Sequence, residues 1–259
     1  DLFIVGSHCV GLDIIFKLLR KGDPSIEIKS INVGSSGGFA AIRKQEADIA
    51  GTHLVDEKTG EYNIPFLEKF GVKDIAILIR GYIREQGLVL APGNPKRIKS
   101  FEDILRPGTR LINRNPGSGT RLLLDSKLKE IAVKKGAKLK DLTSKIEGYN
   151  IEAKTHSAVA VAVKNGKADV GLAVKAVAVQ NGLDFIHVAD EMYDFLIPVS
   201  RFEKPSVQKF LDCLKSQELK NEFEKKLPGY KITGETGRIM YAPKNLTLQK
   251  FKTFVYENG

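Results

Sequence analysis

The chain has 259 residues, of which 42% are hydrophobic and 28% are charged. This composition supplies enough apolar side chains for one large or two small folded domains, and it excludes a disordered chain. The formal net charge of +10 favours an anionic partner. The basic residues are spread through every segment without interleaved aromatic residues, so we predict no direct binding to nucleic acid.

Two cysteines, Cys9 and Cys213, lie far apart in the sequence. They argue against a disulfide framework and are compatible with a reducing compartment, so we expect a cytoplasmic protein. No apolar run approaches the roughly 20 residues of a membrane-spanning helix. The sequence opens with Asp1 and an apolar strand, without an initiating Met, a charged n-region or a cleavage site. We therefore expect a fragment of a larger protein, or an exported protein whose leader has been removed.

Strands and helices alternate in the first part of the chain. Residues 2–5 predict a strand, which ends at the turn Gly6-Ser7-His8 and is followed by apolar residues at helical spacing. A second strand runs into the Gly-Ser-Ser-Gly-Gly turn of residues 34–38, after which a helix is expected from Phe39. Two further β-like runs cover residues 75–79 and 88–91. This alternation predicts an α/β fold with a mixed sheet flanked by helices.

The Pro-Gly-Asn-Pro sequence of residues 92–95 interrupts this pattern and predicts a boundary. Beyond it, a strand at residues 111–113, a Gly-Ser-Gly-Thr-Arg turn at residues 117–121 and a long helix at residues 122–135 repeat the arrangement of the first part. The turn of residues 155–158 then precedes another helix. The second part of the chain thus reads as a further α/β unit.

An internal similarity supports two units of related construction. Residues 34–50 and 155–171 share a polar turn, a helix of small residues and an Ala-Asp-Ile or Ala-Asp-Val strand start. Strand-like runs at residues 185–188 and 193–198 are expected to lead the chain back to the first unit. Asp48 and Asp169, just before their strands, are predicted to fix turns.

We divide the chain into four segments on these grounds. They are a first lobe in residues 1–91, a second lobe in residues 92–192, a mostly helical return to the first lobe in residues 193–240, and a C-terminal tail in residues 241–259.

Four polar turns follow strands and precede helices, at residues 6–8, 34–38, 117–121 and 155–158. The N-terminus of a helix presents unpaired N–H groups and a partial positive charge, and in an open α/β sheet such turns lie at the carboxyl ends of strands, where ligands bind. One such turn is most often an ordinary helix cap. Four together favour an anion site in a cleft between the lobes. The sequence has neither a P-loop nor a dinucleotide-binding motif, so nucleotide binding is not predicted.

The candidate ligand-binding residues lie in or beside these turns and carry hydroxyl, imidazole, guanidinium or backbone N–H donors. They are Ser7, His8, Ser35, Ser36, Gly37, Thr52, His53, Arg114, Ser118, Gly119, Thr120, Arg121, His156 and Ser157.

The histidines could donate hydrogen bonds to an oxyanion, bind a metal or act as bases, or each could merely fill a polar turn. Anion donation is our first choice, because a metal site would need carboxylate or thiolate partners and only Cys9 is near. A catalytic pair with Cys9 as the nucleophile and His8 as its base is disfavoured, since the side chains of adjacent residues in such a turn usually point apart. We predict no catalytic residue, no metal and no cofactor.

The sequence resembles class II periplasmic-binding-protein-like domains, of the type fused to molybdopterin molybdotransferases or to helix-turn-helix regulators and related to tungstate and molybdate receptors. The segments that carry the resemblance span about residues 2–195. They are Gly6-Ser7-His8, Val33-Gly34-Ser35, Glu46 to Leu54 (EADIAGTHL), Gln86-Gly87-Leu88, Asn113-Arg114, Gly117 to Arg121 (GSGTR), Thr155-His156 and Ala168 to Gly171 (ADVG).

This resemblance implies a two-lobed fold with a ligand cleft between the lobes, closure about a hinge, and a small oxyanion as the ligand. Molybdate or tungstate is favoured by the association of the family with molybdenum-cofactor genes. The leading hypothesis is therefore a binding or sensing module, linked to molybdenum or tungsten cofactor biosynthesis or regulation, that relays occupancy to an attached or associated enzyme or DNA-binding domain. The alternatives are an enzyme acting on a small cofactor precursor and an exported receptor of an anion transporter.

Overall fold

The computed structural model describes residues 1–7, 9–56 and 58–244. Within these residues the strands are β1 (Leu2–Gly6), β2 (Ile28–Asn32), β3 (Ile49–Thr52), β4 (Ala76–Leu90), β5 (Leu111–Arg114), β6 (Glu152–Ala153), β7 (Val170–Val174), β8 (Asp184–Pro198), β9 (Tyr230–Lys231) and β10 (Ile239–Tyr241). The helices are α1 (Val10–Gly22), α2 (Gly34–Arg43), α3 (Ile64–Lys69), α4 (Gly119–Lys134), α5 (Leu139–Thr143), α6 (His156–Lys164), α7 (Lys175–Gln180), α8 (Pro205–Lys215) and α9 (Gln217–Lys226). Short 3₁₀ helices cover Phe101–Leu105 and Val199–Arg201.

The described strands form one mixed sheet in the order β2-β1-β3-β8-β4-β7-β5-β6, with β9 and β10 also paired to β4. Pairing is parallel among β1, β2 and β3 and among β5, β6 and β7. Strands β4 and β8 run antiparallel to each other along nearly their whole length. They lie between the two parallel groups, and each pairs with a strand of one of them. The arrangement confirms the predicted α/β class and the two lobes.

The two strands that join the lobes are longer than predicted. The runs expected at 75–79 and 88–91 are parts of the single 15-residue strand β4. Those expected at 185–188 and 193–198 are likewise parts of β8. The prediction of separate strands was wrong because polar residues interrupt the hydrophobic runs. In the fold these residues stay in the strands, where Arg80 pairs with Asp194 and Arg84 with Glu191 across the sheet.

The lobe boundaries stay predictions. Strand β4 ends at Leu90, beside the boundary expected after residue 91, whereas β8 crosses the boundary expected after residue 192 without interruption. Residues 245–259 of the expected C-terminal tail lie outside the described part of the chain.

The internal similarity corresponds to a repeated structural feature. The carboxylate of Asp48 accepts a hydrogen bond from the backbone N–H of Phe3 at 2.9 Å. The carboxylate of Asp169 does the same for the N–H of Arg110 at 2.8 Å. Each aspartate therefore ties the start of a strand to its parallel neighbour, one in each lobe, which is a contact between strands and not within a turn.

The core beneath the junction of the lobes is aromatic. The rings of Tyr82 in β4 and Tyr193 in β8 stack with centroids 5.3 Å apart, and Phe223 of α9 meets Tyr82 edge-on at 5.0 Å. Such stacked and edge-on pairs add to the stabilisation from burying the rings. The Sγ atom of Cys9 lies 3.1 Å from the Tyr82 hydroxyl, and the thiols of Cys9 and Cys213 are both free.

Helix α2 begins earlier than predicted. The Gly-Ser-Ser-Gly-Gly segment, expected to be a turn, forms its first turn, and Gly34 has a φ of 76° at its start. Glycine and serine are poor helix formers in the interior of a helix but are well tolerated at its N-terminus. In the described part of the chain, no helix has the length and apolar character needed to cross a bilayer.

Candidate functional site

The carboxyl ends of β1 and β3 meet the N-terminus of α2 in the first lobe. The Ser7 Oγ atom lies 2.7 Å from Nε2 of His53, directly after β3, and both side chains are buried. The backbone N–H of His53 donates to Oγ of Ser35 in α2 at 3.1 Å. Three residues that the sequence singled out separately are therefore in mutual contact.

Asn63 holds the segment around His53 in place. Its Oδ1 atom accepts hydrogen bonds from the Thr52 hydroxyl at 3.1 Å and from the N–H of Leu54 at 2.8 Å. Its Nδ2 group donates to Asp194 at 2.9 Å. The hydroxyl of Thr52, a candidate ligand-binding residue, thus donates its proton to Asn63.

Two charged residues of the site were not predicted. Arg84 of β4 and Glu191 of β8 are buried, and Nε of Arg84 donates to Oε1 of Glu191 at 2.7 Å. The other carboxylate oxygen of Glu191 lies 3.0 Å from Nδ1 of His53. Ser7, His53 and Glu191 therefore form a continuous chain of polar contacts, with Arg84 behind the carboxylate.

The electrostatics of this triad favour a neutral imidazole beside an ionised carboxylate. Burial lowers the pKa of His53, although the charge of Glu191 partly opposes this effect. Burial also disfavours the ionised form of Glu191, but the charges of Arg84 and His53 outweigh it and lower the pKa of the carboxyl. The Nδ1 atom therefore carries the imidazole proton, and Nε2 accepts from the Ser7 hydroxyl.

Arg114, the last residue of β5, provides the second lobe's positive charge. Its guanidinium donates to the carbonyl oxygens of Ala153 and Lys154, each at 3.1 Å, and Nη1 lies 3.2 Å from Nδ1 of His156. Only 5% of Arg114 is exposed. No carboxylate among the described residues forms an ion pair with it. Burial, followed by the charge of Arg84, lowers the pKa of Arg114 to about 10.

The N-terminus of α4 closes the site from the second lobe. Ser118 caps this helix by accepting from the N–H of Arg121 at 3.2 Å. A Cβ atom placed on Gly119 would lie 2.5 Å from Nδ1 of His53, so only glycine permits this approach of the two lobes. The guanidinium of Arg121 forms an ion pair with Asp125 and lies over the ring of Tyr149, so its charge is already compensated.

Several buried polar atoms at the site have no hydrogen-bond partner among the described residues. They are Nη1 of Arg84, both amide atoms of Gln86, the hydroxyl of Thr120, and Nδ1 of His53, which is close to Glu191 but lacks hydrogen-bond geometry. Arg84 and Gln86 are two positions apart in β4 and so share a face of the sheet. Leaving such groups unpaired costs about 1–3 kcal/mol each, which is typical of a site that a ligand completes.

The remaining candidates add little to these contacts. Ser36 and Gly37 are half-buried in the first turn of α2, and Ser157 is half-buried in the first turn of α6. His8 lies outside the described residues. In the described part of the chain, no group of three or more His, Cys, Asp and Glu side chains is placed to hold a metal ion.

One indirect signal in the sequence lies near the residues that were not predicted. Gln86 belongs to a segment that carries the family resemblance, but nothing local marks Arg84 or Glu191 as a pair, because they are 107 positions apart.

A sequence profile described as the PBP superfamily domain matches residues 16–215. The chain belongs to this superfamily. Among curated proteins, it is 30% identical over 239 residues to the uncharacterised protein YvgK of Bacillus subtilis strain 168, covering 90% of this chain and 74% of YvgK.

Solved structures of periplasmic binding proteins (PBPs) share the fold at low sequence identity. A proposed phosphate ABC transporter substrate-binding protein of Clostridium perfringens, solved with phosphate bound, superposes with a TM-score of 0.64 at 14% identity, covering 90% of this chain and 99% of that one. The sulfate-binding protein SubI of Mycobacterium tuberculosis gives 0.57 at 16% identity, covering 90% and 86%. These similarities establish the two-lobed PBP fold.

Proposed function

We propose that this PBP domain binds a small oxyanion between its lobes. The observation that carries the proposal is the buried guanidinium of Arg114, which has no carboxylate partner among the described residues. Burying an uncompensated charge is costly, and a bound anion removes the cost. The ion pair of Arg84 with Glu191 is internally balanced, so Arg114 leaves the site with one net positive charge when His53 is neutral.

The groups around Arg114 are suited to oxygen ligands. Nη1 of Arg84 and the Thr120 hydroxyl are buried donors without partners in the described structure. Helices α4 and α6 begin beside Arg114, since Arg121 donates to the Arg114 carbonyl oxygen at 3.2 Å and His156 lies 3.2 Å from its guanidinium, and a helix N-terminus favours an anion. Charged and neutral donors of these kinds hold oxyanions without any need for a metal.

Within this class, we propose molybdate or tungstate as the favoured ligand. The support is the resemblance to tungstate and molybdate receptors, carried by residues 46–54 and 117–121 among others. The phosphate and sulfate proteins of the same fold make those two anions the natural competitors. A cytoplasmic location, and an attached enzyme or DNA-binding domain that responds to closure, belong to the same proposal. Cell fractionation distinguishes it from an exported transport receptor.

Isothermal titration calorimetry with molybdate, tungstate, sulfate and phosphate tests the proposal. We expect binding of at least one anion by the wild-type protein and its loss in Arg114→Gln, which keeps a polar side chain but removes the charge. Arg20→Gln is the matched control, since Arg20 is exposed on α1. The absence of binding heat with all four anions, or undiminished binding by Arg114→Gln, contradicts the proposal.

A second candidate function rests on the geometry of the Ser7–His53–Glu191 triad. A hydroxyl, an imidazole and a carboxylate in this order are the groups of a nucleophile, its base and the residue that orients the base. Hydrolysis of a small activated ester, abolished by Ser7→Ala, would favour the enzyme. The pairing of Glu191 with Arg84 weakens the carboxylate's support of an imidazolium, so anion binding remains the better supported function.

A further inference from the structure

We propose that the Ser7–His53–Glu191 triad distinguishes fully ionised tetrahedral oxyanions from those that carry a hydrogen, because His53 takes up one proton only when a fully ionised anion binds. This inference rests on the oxyanion function proposed above. It concerns the direction of one hydrogen bond, between Ser7 and His53, and the charge that accompanies its reversal.

Without a ligand, the triad has a defined hydrogen-bond direction. Nδ1 of His53 faces the ionised carboxylate of Glu191 at 3.0 Å and therefore carries the imidazole proton. Nε2 of the neutral ring then accepts the Ser7 hydroxyl proton across 2.7 Å. A hydroxyl whose proton is committed in this way offers only lone pairs to a third group. Ser7 therefore repels an oxyanion that carries no hydrogen.

Protonation of His53 reverses this hydrogen bond. An imidazolium donates from both ring nitrogens, so Nε2–H donates to Oγ of Ser7 and the hydroxyl proton is released to donate to the anion. One proton thus converts Ser7 from an acceptor to a donor. Nδ1 stays 3.0 Å from the carboxylate of Glu191 throughout, and its attraction to that carboxylate strengthens when the ring becomes charged.

After His53 takes up a proton, the net positive charge around it equals the negative charge of a dianion. Arg84 from β4 and Glu191 from β8 neutralise each other, and Arg114 from β5 supplies one positive charge. A protonated His53 adds the second. Burial and the two arginines hold the imidazole neutral in the empty site. A bound dianion offsets both arginines and so removes the main electrostatic obstacle to the proton.

The other groups packed against His53 carry no charge that would change this balance. Tyr193 from β8 stacks on the ring at 5.8 Å, and burial raises its pKa well above the usual range, so it stays neutral. Ser35 from α2 accepts from the backbone N–H of His53. Gly119 places the N-terminus of α4 against the ring.

An oxyanion that carries its own hydrogen has a different requirement. It can donate that hydrogen to Ser7 while His53 stays neutral, so it binds without proton uptake. Molybdate, tungstate and sulfate are fully ionised near neutral pH, whereas phosphate retains a hydrogen. The triad therefore separates these two chemical types by proton uptake and by the pH dependence of their binding.

Calorimetry in two buffers of different ionisation enthalpy, HEPES and Tris, measures the uptake directly. For the wild-type protein with molybdate at about pH 7, we expect close to one proton taken up per anion, and affinity that falls up to tenfold per pH unit as the pH rises toward about 9. His53→Gln should bind more weakly, with little uptake. His187→Gln is the matched control and should behave as wild type, because His187 is exposed and paired with Asp190.

Wild-type binding with no proton uptake overturns the inference and leaves the oxyanion function intact. Failure of molybdate, tungstate and sulfate to bind at all overturns the proposed function instead. If His53→Gln does not fold, ¹⁵N NMR of the histidines in the wild-type protein gives an independent test. We expect the His53 signals to change from a neutral Nδ1–H tautomer to imidazolium on addition of molybdate. An unchanged tautomer contradicts the inference.

Discussion

Replacing Gly119 by alanine should block closure of the lobes while leaving the fold intact. The added Cβ would lie 2.5 Å from Nδ1 and 3.0 Å from the backbone oxygen of His53, whereas ordinary contact begins near 3.4 Å. The ring cannot move aside, because Ser7 and Glu191 hold its two nitrogens at 2.7 and 3.0 Å. The lobes must therefore part by about 1 Å at this point.

A separation of this size takes hydrogen bonds from the first turn of α4 out of range of an anion held by the first lobe. Loss of one hydrogen bond to a charged group costs about 1.5–3 kcal/mol, so we expect roughly 10- to 150-fold weaker anion binding. The free energy of unfolding should change by less than about 1 kcal/mol, because Gly119 is the first residue of α4 and the advantage of alanine over glycine applies to the interior of a helix.

Calorimetry with molybdate, together with urea denaturation, tests this expectation. Gly22→Ala is the control, since Gly22 ends α1 and a Cβ atom there meets nothing within 4 Å. If Gly119→Ala binds as tightly as the wild type and Gly22→Ala, then the contact between Gly119 and His53 does not limit closure and the reasoning is refuted.

Two further predictions concern the buried charges. Because burial lowers the pKa of His53, the unfolded chain takes up a proton below pH 6.5 that the native protein does not, so the stability of the unliganded protein should fall from there toward about pH 5, by up to about 1.4 kcal/mol per pH unit. Urea denaturation across this range should show the fall in the wild type and a shallower one in His53→Gln; parallel curves would mean that His53 is not the group responsible. Glu191→Gln leaves Arg84 buried without a counter-charge and should lower the free energy of unfolding by about 3–5 kcal/mol. A loss below about 1 kcal/mol would show that Arg84 finds another partner, and Glu218→Gln, at an exposed ion pair with Lys21, gives the baseline for losing a surface carboxylate.

Local patterns in the sequence were sufficient to predict much of the fold. Apolar spacing indicated α1, the Gly-Ser turns indicated helices close behind them, although α2 and α4 begin within those turns, and the repeated Ala-Asp pattern indicated two lobes of related construction. These predictions succeeded because helix periodicity and capping depend on residues only a few positions apart. Strands β4 and β8 were predicted in pieces, since the polar residues within them are accommodated by a distant strand that no local pattern reveals.

The same distinction holds for the candidate site. Local sequence patterns placed Ser7, Ser35 and His53 in polar turns at strand ends and marked Arg114 as a candidate donor. Only the tertiary structure joined His53 to Glu191 and left the charge of Arg114 without a carboxylate partner among the described residues. The hydropathy pattern of a sequence indicates which residues are buried, but the free-energy cost of burying a charge depends on which opposite charge lies beside it. That neighbour is chosen by the packing of strands far apart in the chain.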